Sequence, residues 1–308
     1  MARKPRGQPV HGWVILDKPL GMSSSRAVGA VRRLFDAAKA GHGGTLDPLA
    51  TGVLPIALGE ATKTVAYAMA GRKTYRFTLR WGEARSTDDG EGAVVAESPL
   101  RPSRDQILAA LPAFRGEIAQ RPPDFSAIKC GGARAYALAR RGDMPELAPR
   151  PVEIACLELL ATPEADHADF EAEVGKGTYI RALGRDLGQA LGCYAHVTAL
   201  RRLAVGPFTL DGAISLDKLA AMRHSPAASG HLLPIETALD DIPALALSGE
   251  EAEALRCGRV VTPLRPSDRA RIDLLEDGAT IRATSDGRLV ALAAIDKGLI
   301  RPVRVMNF

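Results

Sequence analysis

The sequence predicts an α+β protein: a mixed, largely antiparallel sheet with flanking helices, followed by a small C-terminal β-rich module. Three observations carry this. Strand-like and helix-like stretches interleave without the regular period of a βαβ fold. The segment KTYRFTLRWGE alternates cleanly, with Tyr75, Phe77, Leu79 and Trp81 on one side and Thr74, Arg76, Thr78 and Arg80 on the other, as a half-buried strand does. The C-terminal stretch breaks into short apolar runs separated by Asp277-Gly278 and Asp286-Gly287, both hairpin signals.

Taken in order, residues 1–11 read as a loose basic arm and GWVILDKP (12–19) as a strand. Ser23 to Ser25 can cap a helix that carries Val28, Val31, Leu34 and Phe35 on one face. Gly43-Gly44 and Pro48 favour a loop before an apolar run from Val53 to Leu58. Ser103-Arg-Asp-Gln106 resembles a capping box and starts a helix through Leu111. Strands are expected around 151–161 and 168–174. A helix is expected from Thr178 to Leu191, with Ile180, Leu183, Leu187 and Leu191 inside and Gly192 as its stop. Ser248-Gly-Glu-Glu251 caps a further helix. At 308 residues the chain suits two domains, 12–244 and 245–308, after the arm of residues 1–11.

Hydrophobic residues make up 46% and charged residues 25%, which excludes a disordered chain. The net charge of +4 permits an anionic partner without requiring one. Cys130, Cys156, Cys193 and Cys257 are scattered and read as reduced thiols. No apolar run approaches the length of a membrane span, so the expectation is a soluble, cytoplasmic protein. Walker-type and complete G-x-G-x-x-G loops, the zinc-deaminase signature and G-x-S-x-G are all missing. The histidines lack metal-ligand spacing. The expected chemistry uses no nucleotide, no metal and no other cofactor.

What remains is a lone carboxylate. In GHGGTLDPLATGVLPIALGEATK, Asp47 is the one titrating side chain between His42 and Glu60. An aspartate before proline is usually a turn former. Here the flanking glycines allow close backbone approach and the apolar neighbours desolvate the carboxylate, so a nucleophile or base is an equal reading. Tyr75 fits core packing, or a pocket in which its ring stacks on a base. Arg181 opens a helix where its charge opposes the helix dipole, so it calls for an anionic partner, a carboxylate or a phosphate. Lys129 and Lys176 suit phosphate contacts or plain surface charge. His42 alone reads as structural. Arg201-Arg202 suits a nucleic-acid backbone or a solvated strand edge.

The run from Gly41 to Lys63 resembles the signature of the bacterial tRNA pseudouridine-55 synthases, the TruB family. GWVILDKPLGMSS, KTYRFTLRWGEARSTDDGEG, QRPPDFSAIKCGGARAYALARRG, GKGTYIRALGRDLG and CYAHVTALRRLAVGPF resemble further motifs of that family, in its order, over residues 12 to about 210. The tail resembles the family's PUA-like RNA-binding domain less specifically. The resemblance implies the pseudouridine synthase fold and isomerisation of uridine-55 in the tRNA T loop, by base flipping and aspartate-dependent cleavage and re-formation of the glycosidic bond. It implies Asp47 as the catalytic aspartate, Tyr75 as the tyrosine that stacks on the base, and Arg181 as the aspartate's partner. His42, Tyr179, Leu200, Lys129 and Lys176 match substrate-binding positions. Attack at the ribose C1′, addition to C6 of uracil and removal of the 2′ proton are all open to Asp47. The implied partner is the tRNA T stem-loop, bound by a monomer with no obligate protein partner and no membrane. The alternatives are a non-catalytic tRNA-binding or folding chaperone, and a related synthase acting on another RNA. Arg85-Ser86, Phe125 and Gly175 depart from the family pattern, none of them at Asp47, Tyr75 or Arg181.

Overall fold

The computed structural model describes residues 7–126, 128–130, 133–139, 141–143, 147–222, 226–263, 269, 272 and 274–308. The strands are β1 (Gly12–Lys18), β2 (Ala40–His42), β3 (Ala50–Leu58), β4 (Lys73–Trp81), β5 (Glu83–Arg85), β6 (Val94–Glu97), β7 (Gly116–Gln120), β8 (Lys129–Cys130), β9 (Ala133–Arg134), β10 (Arg150–Glu164), β11 (His167–Val174), β12 (Ala195–Val205), β13 (Phe208–Thr209) and β14 (Ile214–Ser215), then β15 (Ala244–Ala246), β16 (Thr280–Ser285), β17 (Arg288–Asp296) and β18 (Leu299–Val305). The main sheet runs β14-β1-β3-β12-β4-β11-β10-β7, with β2 on β3 and β13 on β12. Only the pairs β1–β14 and β3–β12 within it are parallel. The expected mixed, largely antiparallel sheet is therefore present, and a second sheet, β15-β16-β17-β18, forms the C-terminal module.

Burial explains which sequence patterns alternate. In β4, Phe77, Leu79 and Trp81 enter the main core, while Arg76 and Arg80 pair with Glu171 and Glu83 outside it. Phe77 stacks on Phe170 at 5.4 Å, and Trp81 meets the same ring edge-on. By contrast β1 and β3 are covered on both faces. Val14 and Leu16 join one core, Trp13 and Ile15 the other. That is why WVIL and VLPIAL read as unbroken apolar runs.

Three helices obey their caps. Ser23 caps Ser24–Leu34, and Ser103 and Ser248 make full capping boxes for Arg104–Ala110 and Gly249–Arg256. The expected 178–191 helix is shorter, Ile180–Ala190, because Thr178 turns its hydroxyl to the Glu153 carbonyl and Tyr179 takes the N-cap position. Asp286-Gly287 joins β16 to β17, both residues at positive φ. Asp277-Gly278 joins no hairpin among the described residues. The turn between β17 and β18 is Lys297-Gly298, and Asp277 caps it by accepting the Lys297 N–H at 2.6 Å.

The C-terminal module has its own core around Leu255, Ile281, Ala291 and Ile300. Leu289, Leu292 and Met306 instead join the Trp13 core. Lys63 donates to the Val305 carbonyl at 2.7 Å, and the Asn307 N–H to Glu60 at 2.7 Å. The tail is thus fastened to the segment that follows β3. Among the described residues no helix is long and apolar enough to cross a membrane.

At the centre of the main sheet, Gly52 on β3 lies opposite Arg202 on β12, and Arg202 lies opposite Tyr75 on β4. Gly52 has φ +99°, and an added Cβ would stand 2.1 Å from the Arg202 carbonyl oxygen. Only glycine fits. Gly52→Ala should destabilise the protein by about 3 kcal/mol, through left-handed strain and backbone overlap in a sheet that cannot yield. A urea midpoint equal to that of the wild type would show that β3 and β12 do not approach this closely.

Candidate active site

The loop from Gly44 to Pro48 is held at every one of its carbonyls. The Arg202 guanidinium donates to the carbonyls of Gly44 (3.0 Å) and Thr45 (3.3 Å). The Ser24 hydroxyl both accepts the Leu46 N–H and donates to the Leu46 carbonyl, each at 2.8 Å. The Ala50 N–H closes a turn on the Asp47 carbonyl at 3.1 Å, and the Gly21 N–H reaches the Pro48 carbonyl at 2.8 Å. The turn reading of Asp-Pro thus describes the backbone, while the side chain goes elsewhere.

Asp47 Oδ2 accepts from Arg181 Nε at 2.9 Å. Its Oδ1 accepts no hydrogen bond among the described residues. The Asp47 side chain is 36% exposed, against 5% for Arg181. Arg181 is fully employed: it also donates to the carbonyls of Thr87 (2.8 Å) and Phe125 (2.9 Å), and Asp89 Oδ2 stands 3.5 Å from its Nε. The anionic partner that its position on the helix demanded is therefore a carboxylate pair, with Asp47 at the surface and Asp89 buried. Asp89 itself accepts from the Thr87 hydroxyl and from the Glu91 N–H.

Above this pair opens a cleft of about 410 Å³. Asp47, Tyr75, Lys176, Tyr179, Arg181 and Leu200 all line it, so six of the eight candidate residues come together. Tyr179 is fixed by a reciprocal bond with Gln120, whose amide accepts its N–H at 2.8 Å and donates to its carbonyl at 3.1 Å. Burial raises the pKa of its phenol, which keeps it protonated. His42 does not line the cleft. It sits half-buried on β2 opposite Ile56, and its buried Nδ1 has no partner among the described residues. Burial first, and the Arg202 charge second, lower its pKa, so the ring is neutral at neutral pH. Lys129 falls on β8, and its side chain lies outside the described residues.

Two readings need correction, and a third turns out to be true in both its forms. Gly43 does not open space for a ligand: its Cα faces Ala68, Pro55 and Trp13, where a Cβ would meet atoms at 3.3–3.5 Å. Arg201 and Arg202 do not act as a pair on one solvated edge. Arg201 makes a two-pronged bond to Asp17, while Arg202 is 1% exposed. Tyr75 is both things at once, packed against the main core and lining the cleft.

Sequence reasoning missed four residues of the site's support: Lys18, Ser24, Asp89 and Lys73. Lys73 lines the cleft and donates to the carbonyls of Met69 and Gly71, both at 2.5 Å. Lys18 donates to the Pro19 and Met22 carbonyls and, at 3.4 Å, to that of Pro48. Burial pushes both ammonium groups down to about 8. Lys73 shares a face with Tyr75 in the alternating strand, so the pattern itself could have signalled it.

Two of the departures from the family pattern, Arg85 and Phe125, are accommodated. Arg85 closes the acidic loop between β5 and β6, which carries Asp88, Asp89 and Glu91, by donating to the Gly92 carbonyl at 3.1 Å while pairing with Glu83. Phe125 serves Arg181 through its backbone, which is indifferent to the ring.

Residues 32–180 match the model of the TruB family pseudouridylate synthase N-terminal domain, and residues 181–240 that of the tRNA pseudouridylate synthase B C-terminal domain. A tRNA pseudouridine synthase B of Bradyrhizobium diazoefficiens is 57% identical, over 97% of this chain and 86% of the relative. One from Gluconacetobacter diazotrophicus is 53% identical, over 99% and 100%. Among solved structures, an H/ACA RNP bound to a substrate RNA containing 2′-deoxyuridine superposes with a TM-score of 0.74 at 23% identity, over all of this chain and 92% of that one, which speaks for the fold.

Proposed function

The chain belongs to the TruB family of pseudouridylate synthases and is a tRNA pseudouridine synthase, and from that premise we propose that it isomerises uridine-55 of the T loop on the Asp47 carboxylate. One observation carries this reading. Asp47 presents a free oxygen to a cleft while Arg181 holds the other at 2.9 Å. A carboxylate so divided is aimed by one atom and reactive at the other.

The target nucleotide leaves its stack at a cost of a few kcal/mol. Stacking of the uracil on Tyr75 returns roughly 1–3 kcal/mol of this. Leu200 and Tyr179 complete the walls, and Lys176 at the rim meets phosphate. The walls of the cleft keep the detached uracil beside the sugar while it turns, so that C5 rather than N1 bonds to C1′. Recognition follows the folded shape of the T loop more than its sequence. Residues 12–244 form the catalytic domain, and 245–308 a PUA-like module that adds RNA contact. The protein works as a monomer in the cytoplasm, with tRNA as its partner.

Incubation with unmodified tRNA, followed by pseudouridine mapping along the whole molecule, tests the product and the position together. The expected result is a single modified site in the T loop. Release of free uracil, or modification elsewhere with the T loop untouched, would overturn the proposal. Tyr75→Phe keeps the stacking ring and should bind the RNA normally while slowing the chemistry. An unchanged single-turnover rate would remove the phenol hydroxyl from the reaction.

A further inference from the structure

Arg202 is a buried cation without a matching anion. No carboxylate pairs with it among the described residues, and its donors are spent on three carbonyls: Val53 (2.8 Å), Gly44 (3.0 Å) and Thr45 (3.3 Å). Burying an unpaired guanidinium is costly, and an apolar side chain of similar length would fill the same space without the desolvation. It would, however, leave the three carbonyls unpaired. Two of them belong to the loop that carries Asp47. The third lies on β3, immediately after Gly52.

The placement is equally specific. Arg202 is a residue of β12, flanked across the sheet by Gly52 and Tyr75. From there its side chain passes beneath the loop and forms part of the floor of the cleft. One residue thus ties three parts together: its backbone pairs with the strand of the stacking tyrosine, and its side chain binds the strand that follows the catalytic loop and the loop itself.

We propose that Arg202 is a positioning residue for the isomerisation: it fixes the backbone that carries Asp47 from behind, and its buried charge has no carboxylate partner among the described residues. The proposal rests on the reading of Asp47 given above. The reach of that charge is visible in the neighbours. Lys18, Lys73 and His42 all have lowered pKa values, with burial as the first cause and repulsion from Arg202 contributing in each. Asp47 is thus held twice, by Arg181 at its carboxylate and by Arg202 through the backbone of its loop. Ser24 and Lys18 hold the same loop, but neither lines the cleft.

Arg202→Lys and Arg202→Met test this, with thermal stability, affinity for a T stem-loop RNA and the single-turnover rate measured on each. Lysine keeps the charge but cannot reach three divergent carbonyls. Displacing a reacting group by an ångström costs on the order of 100-fold in rate, so Arg202→Lys should bind RNA like the wild type and react about 100-fold more slowly. Arg202→Met should be slower still, since no donor is left for any of the three carbonyls. Should the methionine variant not fold, the lysine variant alone decides. A wild-type rate in Arg202→Lys would overturn the proposal, as would a parallel loss of affinity and rate, which would make Arg202 an RNA contact. Failure of both variants to fold would make it a fold residue and overturn it too. Asp47→Asn run alongside separates the two levels. If that variant is active, the reading of Asp47 fails. If it is dead while Arg202→Lys is normal, only the proposal for Arg202 fails.

Discussion

Asp47→Asn yields a folded protein that binds the T stem-loop and forms no pseudouridine, with a single-turnover rate down by at least about 10⁴-fold. The fold survives because the loop is held by its backbone. Ser24, Gly21, Ala50 and Arg202 all reach main-chain atoms, and none of these bonds involves the Asp47 carboxylate. Binding survives because Tyr75, Tyr179, Leu200 and Lys176 keep their places along the cleft. The asparagine amide can still face Arg181 with its oxygen. It then presents an NH₂ to the cleft, which is neither a nucleophile nor a base, and that atom is where the chemistry occurs. The measurements are tRNA affinity and product yield on the same preparation. Wild-type turnover by the variant would place the reaction elsewhere.

Arg181→Met has the second largest expected effect. Truncating one partner of a buried ion pair costs roughly 3–5 kcal/mol, because the other charge is left without compensation. Here the abandoned groups are Asp89, as deeply buried as Arg181 itself, and the carbonyls of Thr87 and Phe125. The acidic loop loses its tie to the 180–190 helix, and Asp47 loses its aim. The variant should melt well below the wild type and react about 10³-fold more slowly, with RNA affinity little changed, since the guanidinium is already fully engaged with the protein. Arg181→Lys should recover part of the stability, as one ammonium can stand near both carboxylates. It should not recover the rate, because it lacks the fork that fixes the angle of Asp47. A rate loss matched by an equal loss of affinity would instead make Arg181 a substrate ligand.

Much of this site could be read from residue order, and the reason is local physics. An arginine in the first turn of a helix opposes the dipole, so its need for a negative partner was visible, and Asp47 met it. The alternation in β4 announced one core-facing row and placed Tyr75 on it. Arg202 was hidden for the opposite reason. Two adjacent arginines on a strand look alike in one dimension, but neighbouring residues point to opposite faces, and only the sheet order shows which one lies beneath the catalytic loop. Lys297-Gly298 escaped notice because lysine is a poor turn signal. Its positive φ is stabilised by Asp277, twenty residues earlier, and no local pattern encodes such a bond. Gly43 misled in a similar way. A glycine beside a candidate carboxylate suggests ligand approach, whereas this one makes room for Trp13, Pro55 and Ala68.

The account depends most on where the free Asp47 oxygen points once RNA is bound. A structure of Asp47→Asn with an unmodified T stem-loop measures this directly. The account predicts the target uridine swung out of its stack, its uracil lying on the Tyr75 ring, and the side-chain atom at the Oδ1 position within about 3.5 Å of the ribose or the uracil. A uridine still stacked in the loop, or one bound with that atom turned away and out of reach, would contradict it.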